Sequence, residues 1–225
     1  MGRRFFRDNG LSIVFGALFL LALLGQAVAG NADFNNRQLA SGGATVGLLD
    51  YLFSADYAVD VAENWQSEYL QFFLFVLATT WLVQRGSPES KSPDQIGRES
   101  DQQQQVGGFA TEESPAWARA GGWRTVVFSS SLGLLMAGLF LLSWLAQAVA
   151  GWSAFNAERL VDLQDPLSWG AYVMSADFWN RSLQNWQSEL LAIGSMAIFS
   201  VYLRQRGSPE SKPVGAPHGA TEVSG

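Results

Sequence analysis

Four apolar blocks dominate the hydrophobic pattern of this chain, and polar segments separate them. The first block, residues 11–30, is 20 residues long and carries no charge. At about 1.5 Å of rise per residue, a helix of that length crosses the roughly 30 Å hydrocarbon core of a bilayer. The block at residues 126–151 is also uncharged, whereas residues 69–83 and 190–203 each need the preceding NWQSE segment to reach about 20 residues. The pattern therefore predicts an all-α integral membrane protein with four transmembrane helices.

These blocks recur along the chain at an offset of 121 residues. GQAVAG, residues 25–30, matches residues 146–151, and QRGSPESK, residues 84–91, returns unchanged at residues 205–212. The duplication predicts two like helical hairpins, the first copy and the second copy. Residues 27–29 also resemble the small-residue cleavage site of a signal peptide. Because the matching stretch lies inside the chain, we expect the first helix to be retained.

The offset and the polar composition divide the chain into four segments. The linker is rich in Gln, Gly, Ser and acidic residues, which predicts disorder, and the tail is similar. We expect a first transmembrane hairpin at residues 1–91, a disordered cytoplasmic linker at 92–122, a second hairpin at 123–212 and a disordered tail at 213–225.

The placement of Lys and Arg predicts the orientation of the helices. Eleven of the 14 basic residues lie on one side of the predicted spans, and only Arg37, Arg159 and Arg181 lie on the other. The positive-inside rule then puts both termini and the linker in the cytoplasm. Because each hairpin crosses twice, the two copies insert the same way round, as parallel repeats in a four-helix bundle. The outer loops, residues 31–63 and 152–184, predict short interfacial helices, with a folded extracytoplasmic cap as the alternative.

Composition removes several classes of function. The chain has no cysteine and one histidine, so cysteine nucleophiles, thiolate metal sites and histidine-based centres are not expected. The net charge of −6 argues against nucleic-acid binding. We therefore expect no enzyme activity, no cofactor and no metal, and the lipid bilayer as the principal partner.

Polar residues near the outer ends of the predicted spans form a candidate intramembrane site. If the second span ends at Val83, Glu68 lies about 6 Å inside the outer edge of the hydrocarbon, at the same depth as Gln26. A carboxylate at that depth is costly unless it is paired, hydrated or protonated. The set is either a polar clamp between helices or half of an ion or ligand site on the pseudo-twofold axis. It comprises Gln26, Asn64, Ser67 and Glu68 in the first copy, and Gln147, Asn185, Ser188 and Glu189 in the second.

The repeated QRGSPESK ending is a second candidate. Helix capping accounts for its arginine, glycine and proline but not for the unchanged serines, glutamate and lysine. A recent partial duplication is one explanation, and a cytoplasmic partner or lipid surface that contacts both copies is the other. The candidate contact residues are Arg85, Ser87, Glu89 and Lys91, with Arg206, Ser208, Glu210 and Lys212 in the second copy.

Three stretches, RRFFRDNGLSIVFGALFLLALLGQAVAG, ENWQSEYLQ and WLVQRGSPESK, resemble a family of bacterial inner-membrane proteins of unknown function. The resemblance implies a duplicated transmembrane hairpin and no settled activity. It also implies that Gln66 and Gln187 stand where many relatives have Glu. We expect a structural or accessory membrane protein that packs with itself or with a larger membrane complex. The alternative is a small transporter or channel with Glu68 and Glu189 as symmetric proton or cation sites.

Overall fold

The computed structural model describes residues 2–223 and is 65% helical, with no strand in that part of the chain. Its contacts divide it into two compact units. The first unit comprises Met1–Ala62 and Ala146–Ser175, and the second comprises Glu63–Leu145 and Ala176–Gly225. An all-helical fold is therefore confirmed. The last two residues of the predicted tail lie outside the described residues.

Nine α-helices and one short 3-10 helix are found within residues 2–223. Two of them, α2 and α7, are 31 residues long, and α7 begins and ends 121 residues after α2. The same offset relates the start of α9 to the start of α4. The α-helices are α1 (Gly2–Asp8), α2 (Gly10–Ala40), α3 (Leu48–Leu52), α4 (Ala55–Ala78), α5 (Ala116–Arg119), α6 (Gly122–Ser129), α7 (Ser131–Val161), α8 (Trp169–Val173) and α9 (Ala176–Tyr202); the 3-10 helix is Gly107–Phe109.

Both long helices end in the same hydrogen-bond pattern. At the end of α2, the Gly43 amide donates to the Gln38 carbonyl at 2.7 Å, and Gly42 has a φ of +77°. At the end of α7, the Gln164 amide donates to the Arg159 carbonyl at 2.8 Å, and Leu163 has a φ of +58°. This is the Schellman arrangement, in which a left-handed residue allows the last carbonyls of a helix to be satisfied. Glycine adopts that conformation more readily than leucine does.

By length and composition, α2 and α7 are the two helices among the described residues that could cross a membrane. The most apolar 18-residue window of α2 has a mean hydropathy of 2.3 and that of α7 has 1.9. The rest of the chain buries only 6% of the α2 window and 17% of the α7 window. These two helices overlap two of the four predicted spans, but each continues ten residues beyond Gly30 or Gly151 into a segment that was predicted as an outer loop.

The other apolar block of the first copy ends earlier than the pattern predicts. Helix α4 ends at Ala78 rather than at Val83, and a turn follows it. The hydroxyl of Thr79 donates to the Phe75 carbonyl at 2.8 Å, and the Thr80 amide donates to the carbonyl three residues before it at 3.3 Å. Such side-chain bonds compete with continuation of the helix.

The linker and tail also make contacts in the structure. In the linker, the Gly97 amide donates to the Thr80 carbonyl at 2.9 Å, and helix α5 lies in the same segment. In the tail, the Glu222 amide donates to the Ser87 carbonyl at 3.4 Å. The disorder expected from their composition stays a prediction.

In the first unit, asparagine side chains attach the outer loops to the helices before them. The amide group of Asn35 accepts from the Val46 amide at 2.7 Å and donates to the Val46 carbonyl at 3.0 Å. Asn156 makes the same two bonds with Leu167, at 2.8 and 2.9 Å. A side chain that pairs with both backbone groups of one residue fixes the course of the loop. These bonds tie each outer loop to the helix before it, and both alternatives for the outer loops stay predictions.

Two tyrosines form the centre of the first unit. Tyr51 in α3 is 1% exposed, and Tyr172 in α8 is 0% exposed. A Cβ atom at Gly30 would overlap the hydroxyl of Tyr51, and one at Gly151 would overlap that of Tyr172. The glycines of the GQAVAG and AQAVAG motifs therefore make room for tyrosine rings.

We expect Gly30→Ala to lower the free energy of unfolding by about 1–3 kcal/mol, because the added methyl group overlaps a buried ring. The measurement is thermal unfolding in mild detergent. Gly25→Ala is the matched control in the same helix, since its Cβ would meet no atom within 4 Å. Tyr51→Phe should restore part of the loss. Equal stability of the Gly25→Ala and Gly30→Ala variants would contradict this packing.

Candidate functional site

The two glutamines of the predicted intramembrane site lie in the first unit. Gln147 in α7 is completely buried, and Gln26 in α2 is half-buried. The predicted partnership of these amides with the glutamates of the set stays a prediction.

The other members of the set lie in the second unit, on α4 and α9. The hydroxyl of Ser67 is buried and donates to the Asn64 carbonyl at 2.9 Å. The hydroxyl of Ser188 donates to the Asn185 carbonyl at 2.8 Å and to the carboxylate of Glu189 at 3.4 Å. Both serines therefore bond within their own helix. Glu68 is exposed, and Glu189 is half-buried.

A different set of residues joins α4 to α9. Gln66 is completely buried, and its side-chain oxygen accepts a 2.7 Å hydrogen bond from the indole nitrogen of Trp186. One turn away, the guanidinium of Arg181 lies 3.2 Å from the carboxylate of Glu63. A buried amide and a partly buried ion pair at a helix contact specify which helix faces meet.

Sequence reasoning missed this interhelical pair, although one signal was present. The repeat places Asp60 in the first copy where the second copy has Arg181. Such a reversal of charge between matching positions indicates an asymmetric contact, in which a basic group on one copy faces an acidic group on the other. The matching glutamines differ between the copies in their burial, because Gln66 is buried and Gln187 is exposed.

The QRGSPESK stretches form matching turns in the second unit. The hydroxyl of Ser90 accepts from the Gln84 amide at 2.8 Å, and that of Ser211 accepts from the Gln205 amide at 2.9 Å. Each hydroxyl then donates to the carbonyl of the following lysine, at 3.2 and 3.1 Å. Gly86, with a φ of +89°, allows the first turn. Ser90 and Ser211 thus both stabilise their own turns.

The lysines of the two turns bind the chain that follows them. The ammonium of Lys91 donates to the Gly97 carbonyl at 2.8 Å and forms an ion pair with Glu99. Lys212 is 1% exposed and donates to three carbonyls of the tail, those of Pro217, His218 and Ala220. Burial, with the neighbouring Arg204 guanidinium, lowers the pKa of Lys212. These lysines hold the linker and the tail, while Arg85 and Arg206 are exposed.

The glutamates of the turns meet at a cleft of about 470 Å³ between α4 and α9. Burial, followed by interaction with the side chain and with the charge of Glu210, raises the pKa of Glu89 to about 7. Apolar side chains dominate the rest of the lining, which comprises Gln71, Phe72, Phe75, Ala192, Ile193 and Met196. The cleft therefore combines an apolar wall with a pair of carboxyl groups.

The buried amide of α4 gives a testable prediction. We expect Gln66→Leu to lower the free energy of unfolding by about 1–3 kcal/mol, because the indole of Trp186 loses its acceptor in a buried contact. Gln187→Leu, the same change 121 residues later at an exposed position, should have little effect. Thermal unfolding followed by tryptophan fluorescence measures both. A larger loss for Gln187→Leu would contradict the assignment.

The raised pKa of Glu89 predicts a pH dependence of stability. Glu89 holds a proton more tightly in the folded protein than in the unfolded chain, because its pKa rises from an ordinary value of 4.5 to about 7. The stabilisation is therefore full in acid and is lost as the pH rises from 4.5 to about 7.

Glu89→Gln removes this titrating group. Between pH 4.5 and about 7, the unfolding temperature of the variant should therefore vary less than that of the unchanged protein. Glu112→Gln in the linker is the control for loss of one acidic group. The same pH profile for the unchanged protein and for Glu89→Gln would contradict a raised pKa of Glu89 in the folded protein.

Comparison with known proteins gives one match. Searches of curated proteins and of solved structures found no match to this chain. A family model described as a domain of unknown function covers residues 2–223, which include both copies of the repeat. The chain belongs to the DUF6766 family.

Proposed function

We propose that this protein is a non-enzymatic accessory protein of the bacterial inner membrane. In this proposal four helices, α2, α4, α7 and α9, span the bilayer as two parallel hairpins, and both termini are cytoplasmic. The protein packs with copies of itself or with a larger membrane complex. The observation that carries the proposal is the apolar surface of the two long helices, which the described chain leaves almost entirely uncovered.

Hydrocarbon is the environment that suits this surface. Leu21 and Leu24 of α2 are each 65% exposed, and Leu142 of α7 is 66% exposed. Contact of such side chains with water costs about 25 cal/mol for each Å² of apolar area. Soluble proteins seldom expose continuous apolar patches of this extent, and lipid tails remove the cost.

Their length and their pairing support α4 and α9 as the other two spans. Helices of 24 and 27 residues reach about 36 and 40 Å at 1.5 Å per residue, enough to cross a bilayer. The polar groups of α4 and α9 oppose insertion into a bilayer less than the hydropathy of these helices indicates. Trp186 bonds to Gln66 and Arg181 pairs with Glu63, and polar groups inside a membrane are tolerated when they pair with one another.

The arrangement of polar groups favours an accessory role over transport. A transporter that uses Glu68 and Glu189 needs a cavity that reaches them. The cleft between α4 and α9 is lined by other residues, and the serines next to these glutamates bond within their own helices. The polar residues of the second unit thus act mainly in helix contacts and in turns.

The predicted topology can be tested by cysteine labelling, because the chain has no cysteine of its own. In intact spheroplasts, Ser41→Cys in the first outer loop should react with a membrane-impermeant maleimide. Ser100→Cys in the linker should react only after the membrane is permeabilised. Asp162→Cys, which matches Ser41 at the repeat offset, should behave as Ser41→Cys does. Labelling of Ser100→Cys in intact spheroplasts would refute the orientation.

The accessory role is tested by purification from native membranes in mild detergent. We expect the protein to migrate as an oligomer or with other membrane proteins, and quantitative mass spectrometry should give a fixed ratio between the components. The control is a Gln66→Leu preparation, in which the contact between α4 and α9 is weakened. A monomer with no companion, together with ion flux in proteoliposomes that Glu68→Gln abolishes, would support the transporter instead.

A further inference from the structure

The cleft between α4 and α9 is built from matching positions of the two copies. Its eight lining residues form four pairs, and the members of each pair are 121 residues apart. The pairs are Gln71 with Ala192, Phe72 with Ile193, Phe75 with Met196 and Glu89 with Glu210. A ligand in this cleft would therefore contact the same positions of both copies.

The charge of the cleft is strongly one-sided. The two charged residues of its lining are both glutamates, and the charge of Glu210 contributes to the raised pKa of Glu89. Three cations, Lys91, Lys212 and Arg204, are engaged elsewhere, and Arg85 and Arg206 are exposed. Lys91 binds Gly97 and Glu99, and Lys212 binds carbonyls of the tail. The side chain of Arg204 donates to four backbone carbonyls, those of Ser200, Val201, Leu203 and Ala216.

Above about pH 7 the carboxyl group of Glu89 loses its proton, and a charge beside an apolar wall is unfavourable unless a positive group pairs with it. An ammonium group can donate to both carboxylates at once, and such charge-assisted hydrogen bonds are stronger than neutral ones. An apolar body attached to that ammonium would cover Phe72, Phe75, Ile193 and Met196.

We propose that the cleft binds a hydrophobic organic cation, specifically an ammonium with an aromatic or aliphatic body. The ammonium donates hydrogen bonds to Glu89 and Glu210, and where Glu89 is protonated its proton leaves to solvent, so that one cation enters and one proton departs. A volume of about 470 Å³ lies within the range of small-molecule sites. This binding does not depend on the accessory role and extends beyond it.

The test uses 1-naphthylmethylammonium, with the neutral isostere 1-naphthalenemethanol as its control ligand. Titration calorimetry is done on the full chain in lipid nanodiscs, and the heat from empty nanodiscs is subtracted. The ammonium should bind saturably, and its affinity should rise up to tenfold per pH unit until about pH 7 and then level off, because a proton must leave. The alcohol should bind more weakly and without dependence on pH.

The double variant Glu89→Gln/Glu210→Gln should weaken binding of the ammonium about tenfold or more at pH 8, since it removes two charge-assisted hydrogen bonds. Glu112→Gln/Glu113→Gln loses the same charge in the linker and should bind as the unchanged protein does. Phe75→Ala should weaken binding of both ligands.

Three results would overturn the proposal: no saturable binding, binding of the ammonium that is independent of pH, or equal binding by the Glu89→Gln/Glu210→Gln variant. If that variant does not fold, the pH dependence of the unchanged protein and the comparison with the alcohol still decide. If the ammonium does not bind, the predictions for cysteine labelling and for the oligomeric state still stand.

Discussion

The apolar surface of α2 and α7 is the constraint on which the rest of the structure depends. Each helix is 31 residues long, and little of its most apolar window is covered by the described chain. By length and composition both helices could cross a membrane, where hydrocarbon would surround an apolar surface of this kind. The polar contacts lie away from these apolar windows. Asn35 and Asn156 lie in the C-terminal parts of the long helices, Gln66 lies on α4, and the QRGSPESK turns follow α4 and α9.

The two copies of the repeat make the same local contacts, and they differ where α4 contacts α9. Matching asparagines fix the loops after α2 and α7, matching tyrosines pack on matching glycines, and matching serines close the two turns. Between α4 and α9 the symmetry is incomplete. Gln66 is buried while Gln187 is exposed, and Glu63 faces Arg181. A contact between two different faces needs different side chains, so divergence of the copies is expected there.

The sequence predicted where the long helices lie but not that they continue to Ala40 and Val161, and it predicted the site poorly, for physical reasons. Uncharged stretches of 20 residues or more have few alternatives to a helix in lipid, so the positions of α2 and α7 follow from the pattern. The end of α4 does not, because hydroxyl bonds of Thr79 and Thr80 outweigh an apolar continuation to Val83. The copies share NWQSE letter for letter, so no pattern could indicate that only Gln66 would be buried. The meeting of Glu89 with Glu210 depends on two turns far apart in sequence, which spacing alone does not reveal.

The most direct test of the account is the environment of α9, whose hydropathy is less decisive than that of α2 and α7. Spin labels at Leu191→Cys and Ile198→Cys, both exposed positions, can be compared in lipid nanodiscs for collision with oxygen, which enters lipid, and with a water-soluble nickel chelate. The account predicts strong collision with oxygen and protection from nickel at both positions, as at Leu142→Cys of α7. Strong collision of nickel with both α9 labels, with α7 protected, would contradict a fold of four membrane-spanning helices.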